Sequence, residues 1–483
     1  MRFVLVFSLV SLMGCIRSAD VICTFVGDPV CDPNAVCDPN LLVCVEPPQD
    51  AGVDARVDGP VDGMVGEGGS CMASVECAPT APICGMGACR PCTAGDEAEC
   101  AKRSLMTPIC DTGTHECSGC RKGQAADCPD PAMPTCDANG ACRKCVLHTD
   151  CTSMVCNSDG TCESTSNILY VDNKNGTCTG LNQGSMADPI CDINAAVTMI
   201  AGAKTIIRVL PSTAAYGPVA INNISVTIIG AGIKGAGGTA IAGGTNAGVN
   251  ITGTPTVVLD GLDIKSSTTD GVTCSGGATP ATLMIVRSFI HNVGGIGANI
   301  VNKCNVTLNR DEIGPGNTGG GVSVSAGTYT ITNCFITGNG TGGAGVTLAS
   351  SATGMFVHNT VTANSTTVGL AGIDCGSMAT KAIENSIVWN NTKDPLALPS
   401  SQVGTKCVLT FVDINESNAG LGNSMTQPTF VDSPNNNYRL VKGDTNNGAC
   451  CVDRIDTSSV LDDIDGTLRP VNLKWDIGAH EVK

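Results

Sequence analysis

Aromatic residues are scarce in this chain: two Trp, four Tyr and eight Phe make up 3% of 483 positions. Sugar clefts favour aromatic faces, so a carbohydrate site built from rows of stacked rings is excluded. Cations are short as well. Lys and Arg number 27 against 44 Asp and Glu, a formal net charge of -17. A nucleic-acid partner would want a basic stripe, and none is expected. Long apolar runs are also missing: the most prominent, Phe3 to Met13, falls short of the roughly 20 residues needed to span a bilayer.

That run has a different use. Arg2 precedes it and the small residue Gly14 follows it, the layout of an export signal over residues 1–14. Leu12-Met13-Gly14-Cys15 resembles the lipobox of bacterial lipoproteins, which implies cleavage before Cys15 and lipid attachment there. The mature chain would then sit in the bacterial cell envelope, at the outer membrane or cell surface, with the lipid as its membrane partner. The alternative is an ordinary secretory signal with Cys15 in a disulfide. Both readings export the chain.

An exported chain can keep its 30 cysteines oxidised, so they are read first as staples. Beyond Cys15, twenty fall into five sets of four: Cys23 to Cys44, Cys71 to Cys89, Cys92 to Cys117, Cys120 to Cys142 and Cys145 to Cys162. The last four sets are joined by "CRPC", "CSGC" and "CRKC", an internal repeat of about 17 to 28 residues. Units this small cannot bury a core, and two disulfides each supply their order. The C-x2-C links bridge adjoining units instead of recurring as one ligand cluster, so neither a metal nor any other cofactor is expected. Four cysteines allow three pairings, which leaves the connectivity open. This divides the front of the chain into a Cys-rich unit at 15–44, an acidic Pro/Gly linker at 45–70 and four repeat units at 71–163.

Residues 164–483 have another texture: short β-rich runs broken by Gly, Asn and Ser, such as "TVVLDGLDIKSS" and "YTITNCFITGNG". Aligning the polar residue after each first strand gives Asp260, Arg287, Asn309, Asn333, Asn359 and Asn385, at steps of 27, 22, 24, 26 and 26 residues. A near-constant step with two or three strands per step predicts a solenoid of stacked coils, about eight of them, with asparagine ladders at the turn. The segment "CDINAAVTMIAG" has the apolar spacing of a helix covering one end. Asp463, Asp465, Arg469 and Asp476 are expected to pair within an irregular segment closing the other.

The stretch from "LYVDNKNGTCTG" through "TIIRVLPSTAAYGPVAI", with "NNNYRL", "DIDGTLRP" and "WDIGAHE" at the far end, resembles right-handed parallel β-helix proteins of the pectate-lyase-like superfamily, in particular its choice-of-anchor Q subgroup. The resemblance implies an all-β fold, a right-handed parallel β-helix solenoid preceded by small disulfide-rich repeats.

A lyase on such a fold would need clustered carboxylates for calcium and an Arg or Lys base; a hydrolase would need carboxylates at acid/base separation. Candidates on neighbouring coils are Asp260, Asp263, Arg287, Arg310, Asp311, Glu312 and Asp374. Asp260 and Arg287, at one aligned position a coil apart, read as a stacked ion pair. The paired aspartates and the Gly-His-Gly run of the polygalacturonase branch are absent. His291 and His358 are expected within a few coils of each other, His480 apart from both. Trp389 and Tyr216 are the aromatics expected at the surface. No catalytic residue is assigned. The leading expectation is a non-catalytic surface rod that meets a polysaccharide or cell-surface ligand; the alternative is an exported polysaccharide lyase or glycoside hydrolase.

Nine cysteines remain. Cys178 and Cys191 flank the opening loop and are expected to pair. Cys274 with Cys304, and Cys375 with Cys407, lie 30 and 32 residues apart, close to one coil. Cys450 and Cys451 could join only in a strained ring or find other partners, and Cys334 is expected to stay a buried free thiol.

Overall fold

The computed structural model describes residues 36–38 and 43–45 by backbone alone, and 68–103, 109–120, 127–128, 132–137, 140–174, 183–202, 204–232, 238–393, 402–416 and 420–483. The expected export signal at 1–14, Cys15, Cys178 and most of the acidic linker lie outside the described residues. Two compact units result, Met1–Pro91 and Cys92–Lys483. In the first, Cys71 bonds Cys84 and Cys77 bonds Cys89. The same first-to-third and second-to-fourth pairing recurs in each of the three sets of the second unit. Its cause is local: a hairpin places the third and fourth cysteines opposite one another, as with Cys84 and Cys89 or Cys110 and Cys117. The first two cysteines then close over that hairpin.

The rest of the second unit is a parallel β-helix of about eight turns. Each coil contributes one strand to each of three sheets, as in Thr256–Asp260, Asp263–Ser267 and Val272–Gly276. The three sheets hold ten, eight and seven strands, every rung parallel. Alternation sends every second side chain inward. Ile228, Leu259, Ile285, Leu308 and Ile331 form one buried column up the first sheet. Ile264, Ile290, Ile313 and Ile336 form another up the second. Stacked β-branched side chains fill such a pleated interior well, which is why these short runs become strands.

Between first and second sheets the chain turns in two residues. The first adopts a left-handed conformation, at Gly261, Arg287, Arg310, Asn333, His358, Asn385 and Phe411, with φ between 50° and 65°. The second points inward and is buried: Leu262, Ser288, Asp311, Cys334, Asn359, Ser386 and Val412. Asn309 thus ends its strand, Asn333 takes the first turn position and Asn359 the second, and the single ladder expected there is corrected. Strand register places Asp260 opposite Val286, with Arg287 one residue beyond. A two-residue turn tolerates many polar residues, so aligning the first polar side chain slips by one.

The continuous amide ladder lies instead at the next turn, through Asn339, Asn364, Asn391 and Gln402. Asn364 Oδ1 accepts from Asn339 Nδ2 at 2.9 Å, and Asn364 Nδ2 donates to Asn391 Oδ1 at 2.8 Å. Asn391 Nδ2 donates to Gln402 Oε1 at 2.9 Å.

At the N-terminal end the helix Ile193–Thr198 buries Ile193, Ala196 and Val197, with Asp192 capping it by accepting from the Ala195 N–H. Asn194 binds the Ala220 N–H and the Pro218 carbonyl, closing the first rung of the third sheet. The closing segment differs from its expected place. Rather than plugging the far end, it runs back along the turns of successive coils. Asp462 meets Arg310 and Asn333, Ser458 meets His358, and the Gly478 N–H reaches the Asn385 carbonyl. Residues Leu421 and Ser424 pair with the last rung instead. The turn ladder presents a row of polar side chains there, and a polar segment satisfies them better than the apolar coil end would.

Candidate functional site

The turn ladder also carries a cleft of about 380 Å³. Its floor and one wall come from the coils, through Arg208, Gly230, Asp260, Gly261, Arg287 and Arg310. The fifth Cys-rich unit closes one side with His148, and the closing segment the other with Arg439 and Asp465. The fifth unit is seated by Val155, which packs against Ile168, Tyr170 and Ile229 on the outer face of the first sheet. Tyr170 donates its hydroxyl to the Ser153 carbonyl at 2.9 Å. Where the wall is glycine the backbones nearly touch: a Cβ on Gly230 would stand 2.3 Å from the Gly261 carbonyl oxygen.

Asp260 is the hub. Arg287 Nε donates to its Oδ1 at 2.9 Å and Arg287 Nη2 to its Oδ2. His148 Nδ1 accepts the Cys156 N–H at 3.0 Å, so the ring proton sits on Nε2, which donates to Asp260 Oδ2 at 3.0 Å. Burial alone would raise the Asp260 pKa, but the hydrogen bonds from His148 and Arg287 outweigh it and hold the carboxyl below its ordinary range. Across the cleft Arg439 grips Asp465 through Nε, at 2.7 Å, and Nη2. Those bonds lower the Asp465 pKa against the upward push of burial. Arg439 also lies over the Phe335 ring, 5.6 Å from its centroid. Arg310 reaches Asp462 at 3.5 Å and the Ile464 carbonyl at 3.3 Å.

Arg208 stands apart from this pattern. On the outer face of Ile206–Val209, in register with Tyr170 and Ile229, it is only 2% exposed. Burial brings its pKa down to about 10, with Asp260 and Tyr170 opposing the shift.

Of the residues singled out from sequence, Asp260, Arg287, Arg310 and Glu312 meet in this cleft. Asp263 does not; it binds His291 at 2.8 Å and Lys265 at 2.6 Å on the second sheet. Asp311 is fully buried inside the turn, where desolvation drives its pKa far up. Asp374 lies on the third sheet and accepts the Gly376 N–H. His291 ends a second-sheet strand and His358 sits on the first turn three coils further on, within a few coils as expected but at different positions of the coil. Tyr216 is buried, 2% exposed, its hydroxyl bonded to the Leu210 carbonyl; an aromatic at the start of the first coil is claimed by the core. Trp389 is half-buried and lines a separate polar cavity with Phe430 and Tyr438. Cys274 bonds Cys304, Cys375 bonds Cys407, and the adjacent Cys450 and Cys451 bond each other. Cys191 is in a disulfide and Cys334 is a buried free thiol.

Sequence reasoning missed Arg208, Arg439 and His148. Arg208 had a signal, a lone cation inside the apolar run "TIIRVL". The other two reach the cleft only through the packing of the flanking segments.

Residues 219–393 match the family described as "Right handed beta helix region", and residues 56–168 match a family of unknown function, DUF8331. No curated protein sequence matches the chain. Two solved structures are similar in part. Pectate lyase Pel9A is 13% identical, with a TM-score of 0.41 over 66% of this chain and 97% of that one. An alginate lyase from Paenibacillus sp. str. FPU-7 is 12% identical, with a TM-score of 0.29 over 48% of this chain and 94% of that one.

Proposed function

We propose that this chain is an exported, lipid-anchored and non-catalytic β-helix protein of the bacterial cell envelope, and that it contacts polysaccharide through the arginine-lined cleft. The observation that carries this reading is the state of two of the three carboxylates lining the cleft, the third being Glu312. Asp260 and Asp465 are each held by cations and kept below the ordinary carboxylate range. A general acid needs the opposite shift, and a base needs a free lone pair aimed at substrate. Four guanidiniums around one concavity, in a chain of net charge -17, favour binding a negatively charged sugar polymer.

A second reading has one observation of its own. An arginine brought down to about 10, as Arg208 is, moves toward the range of a proton-abstracting base, as an exported polysaccharide lyase would use. Incubating the full chain with acidic and neutral glycans, while following both binding and product formation, separates the two. Binding without new chain ends supports the scaffold, whereas unsaturated or reducing ends appearing with time overturn it in favour of the enzyme.

A further inference from the structure

Arg208 is the least reconciled charge in the cleft. It is 2% exposed, and its Nη1 donates to the Gly230 carbonyl. Its Nε is buried and makes no hydrogen bond. Asp260 is near enough to influence it electrostatically, yet that carboxylate is already bound twice by Arg287 and once by His148. Arg287, meanwhile, adds a repulsive positive charge beside it. A buried guanidinium with an unsatisfied N–H and a like-charged neighbour is costly unless an anion completes it. Among the described residues no carboxylate forms a salt bridge with it. The wall it faces includes Gly232, where an added Cβ would meet nothing within 4 Å, and it is there that a bulky group has room to approach.

We propose that Arg208, with Arg287 beside it, forms an oxyanion subsite that takes the carboxylate or sulfate group of an acidic glycan. The subsite rests on the cleft reading above and narrows it from a negatively charged sugar polymer to the anionic group taken and the residues that take it. A guanidinium offers parallel N–H donors matched to such oxyanions, and the bond is charge-assisted.

The test uses the full chain with its disulfides intact. Binding of polygalacturonate, dextran sulfate and neutral dextran is measured at low and moderate salt for the parent and for Arg208→Met and Arg208→Lys. The expected result is binding of a polyanion but not of dextran, a loss of roughly tenfold to a hundredfold affinity in Arg208→Met, and partial recovery in Arg208→Lys. Preference for polygalacturonate assigns the group as carboxylate, and preference for dextran sulfate assigns it as sulfate. Folding of each variant is checked by protection of Cys334 from a bulky thiol reagent. Should Arg208→Met not fold, the parent decides: galacturonate must raise its unfolding midpoint, at matched ionic strength, more than galactose does. Unchanged polyanion affinity in a folded Arg208→Met overturns the subsite, as does equal stabilisation by galactose. Binding of dextran alone overturns the subsite but leaves polysaccharide contact standing. Binding of no glycan overturns both. Product release with Arg208-dependent binding overturns only the non-catalytic reading.

Discussion

Buried polar side chains decide much of this fold one residue at a time, and Asn364 is a clear case. It is fully buried; Nδ2 donates to the Ile336 carbonyl and to Asn391, and Oδ1 accepts from both nitrogens of Asn339. Asn364→Ala strips partners from several groups at once, each loss on the order of 1–3 kcal/mol when left unsatisfied. The denaturant midpoint should fall accordingly, while Asn223→Ala, at an exposed turn, should change it far less. Asp413 poses the opposite problem. Desolvation raises its pKa from 3.8 to about 7 despite hydrogen bonds from Ser424 and Thr426, and its Oδ1 has no partner. With the folded pKa above the unfolded one, the folded state retains a proton that the unfolded state releases. Stability therefore declines as pH rises from about 4 to about 7, by an amount on the order of 4 kcal/mol if this group acted alone. Asp476, also raised to about 7, and the buried Asp311 act in the same sense, so Asp413→Asn should reduce the slope over that interval in a series of unfolding curves without abolishing it; an unchanged slope would show that the Asp413 carboxyl ionises freely in the fold. Asp260 and Asp465, with lowered pKa values, contribute in the other sense and lose their contribution only at acid pH.

At the scale of the element, the coil is the repeating unit, and a disulfide between coils tests how tightly each is held. Cys274 lies on a third-sheet strand and Cys304 opens the first-sheet strand two coils further on, 30 residues later, with one complete coil between them. Replacing both with Ala should cost about 3–4 kcal/mol by loop-closure entropy, read as a lower unfolding midpoint with unchanged β-sheet circular dichroism. A loss of the sheet signal itself would mean that the bond is needed to form the coil rather than to stabilise it. The coil length was legible in the sequence because stacked strands force like residues to recur, as in the isoleucine column through Ile290, Ile313 and Ile336. Its fine register was not. A turn of two residues, one left-handed and one buried, accepts Gly, Arg, Asn, His or Phe at the first position, so no single residue type marks it. The amide ladder through Asn364 was hidden for a related reason: its members follow a strand of only two or three residues, too short for alternation to fix the face. As for the cleft, Asp260, Arg287, Arg310 and Glu312, drawn from consecutive coils, were visible as candidates, whereas Arg208 was not. His148 lies 112 residues before its partner Asp260, and Arg439 lies 152 residues after Arg287, which lines the same cleft, distances no local pattern encodes.

For the whole molecule, the proposed membrane anchor makes a prediction of its own. No helix among the described residues is long and apolar enough to cross one. The run Phe3 to Met13 is too short to span, and it precedes a cysteine instead of a stop-transfer sequence. On the proposed reading the anchor is lipid on Cys15, where more than one acyl chain is needed for stable anchoring. Cys15→Ala should accordingly move the protein from the detergent-soluble membrane fraction to the aqueous one, with the other cysteines still able to pair. The control is Cys334→Ala, which removes a buried thiol far from the signal and should leave the distribution unchanged. A Cys15→Ala chain that stays in the membrane fraction after a high-salt wash would place the anchor elsewhere. A chain that is aqueous both with and without the substitution would identify the first fourteen residues as a plain secretory signal.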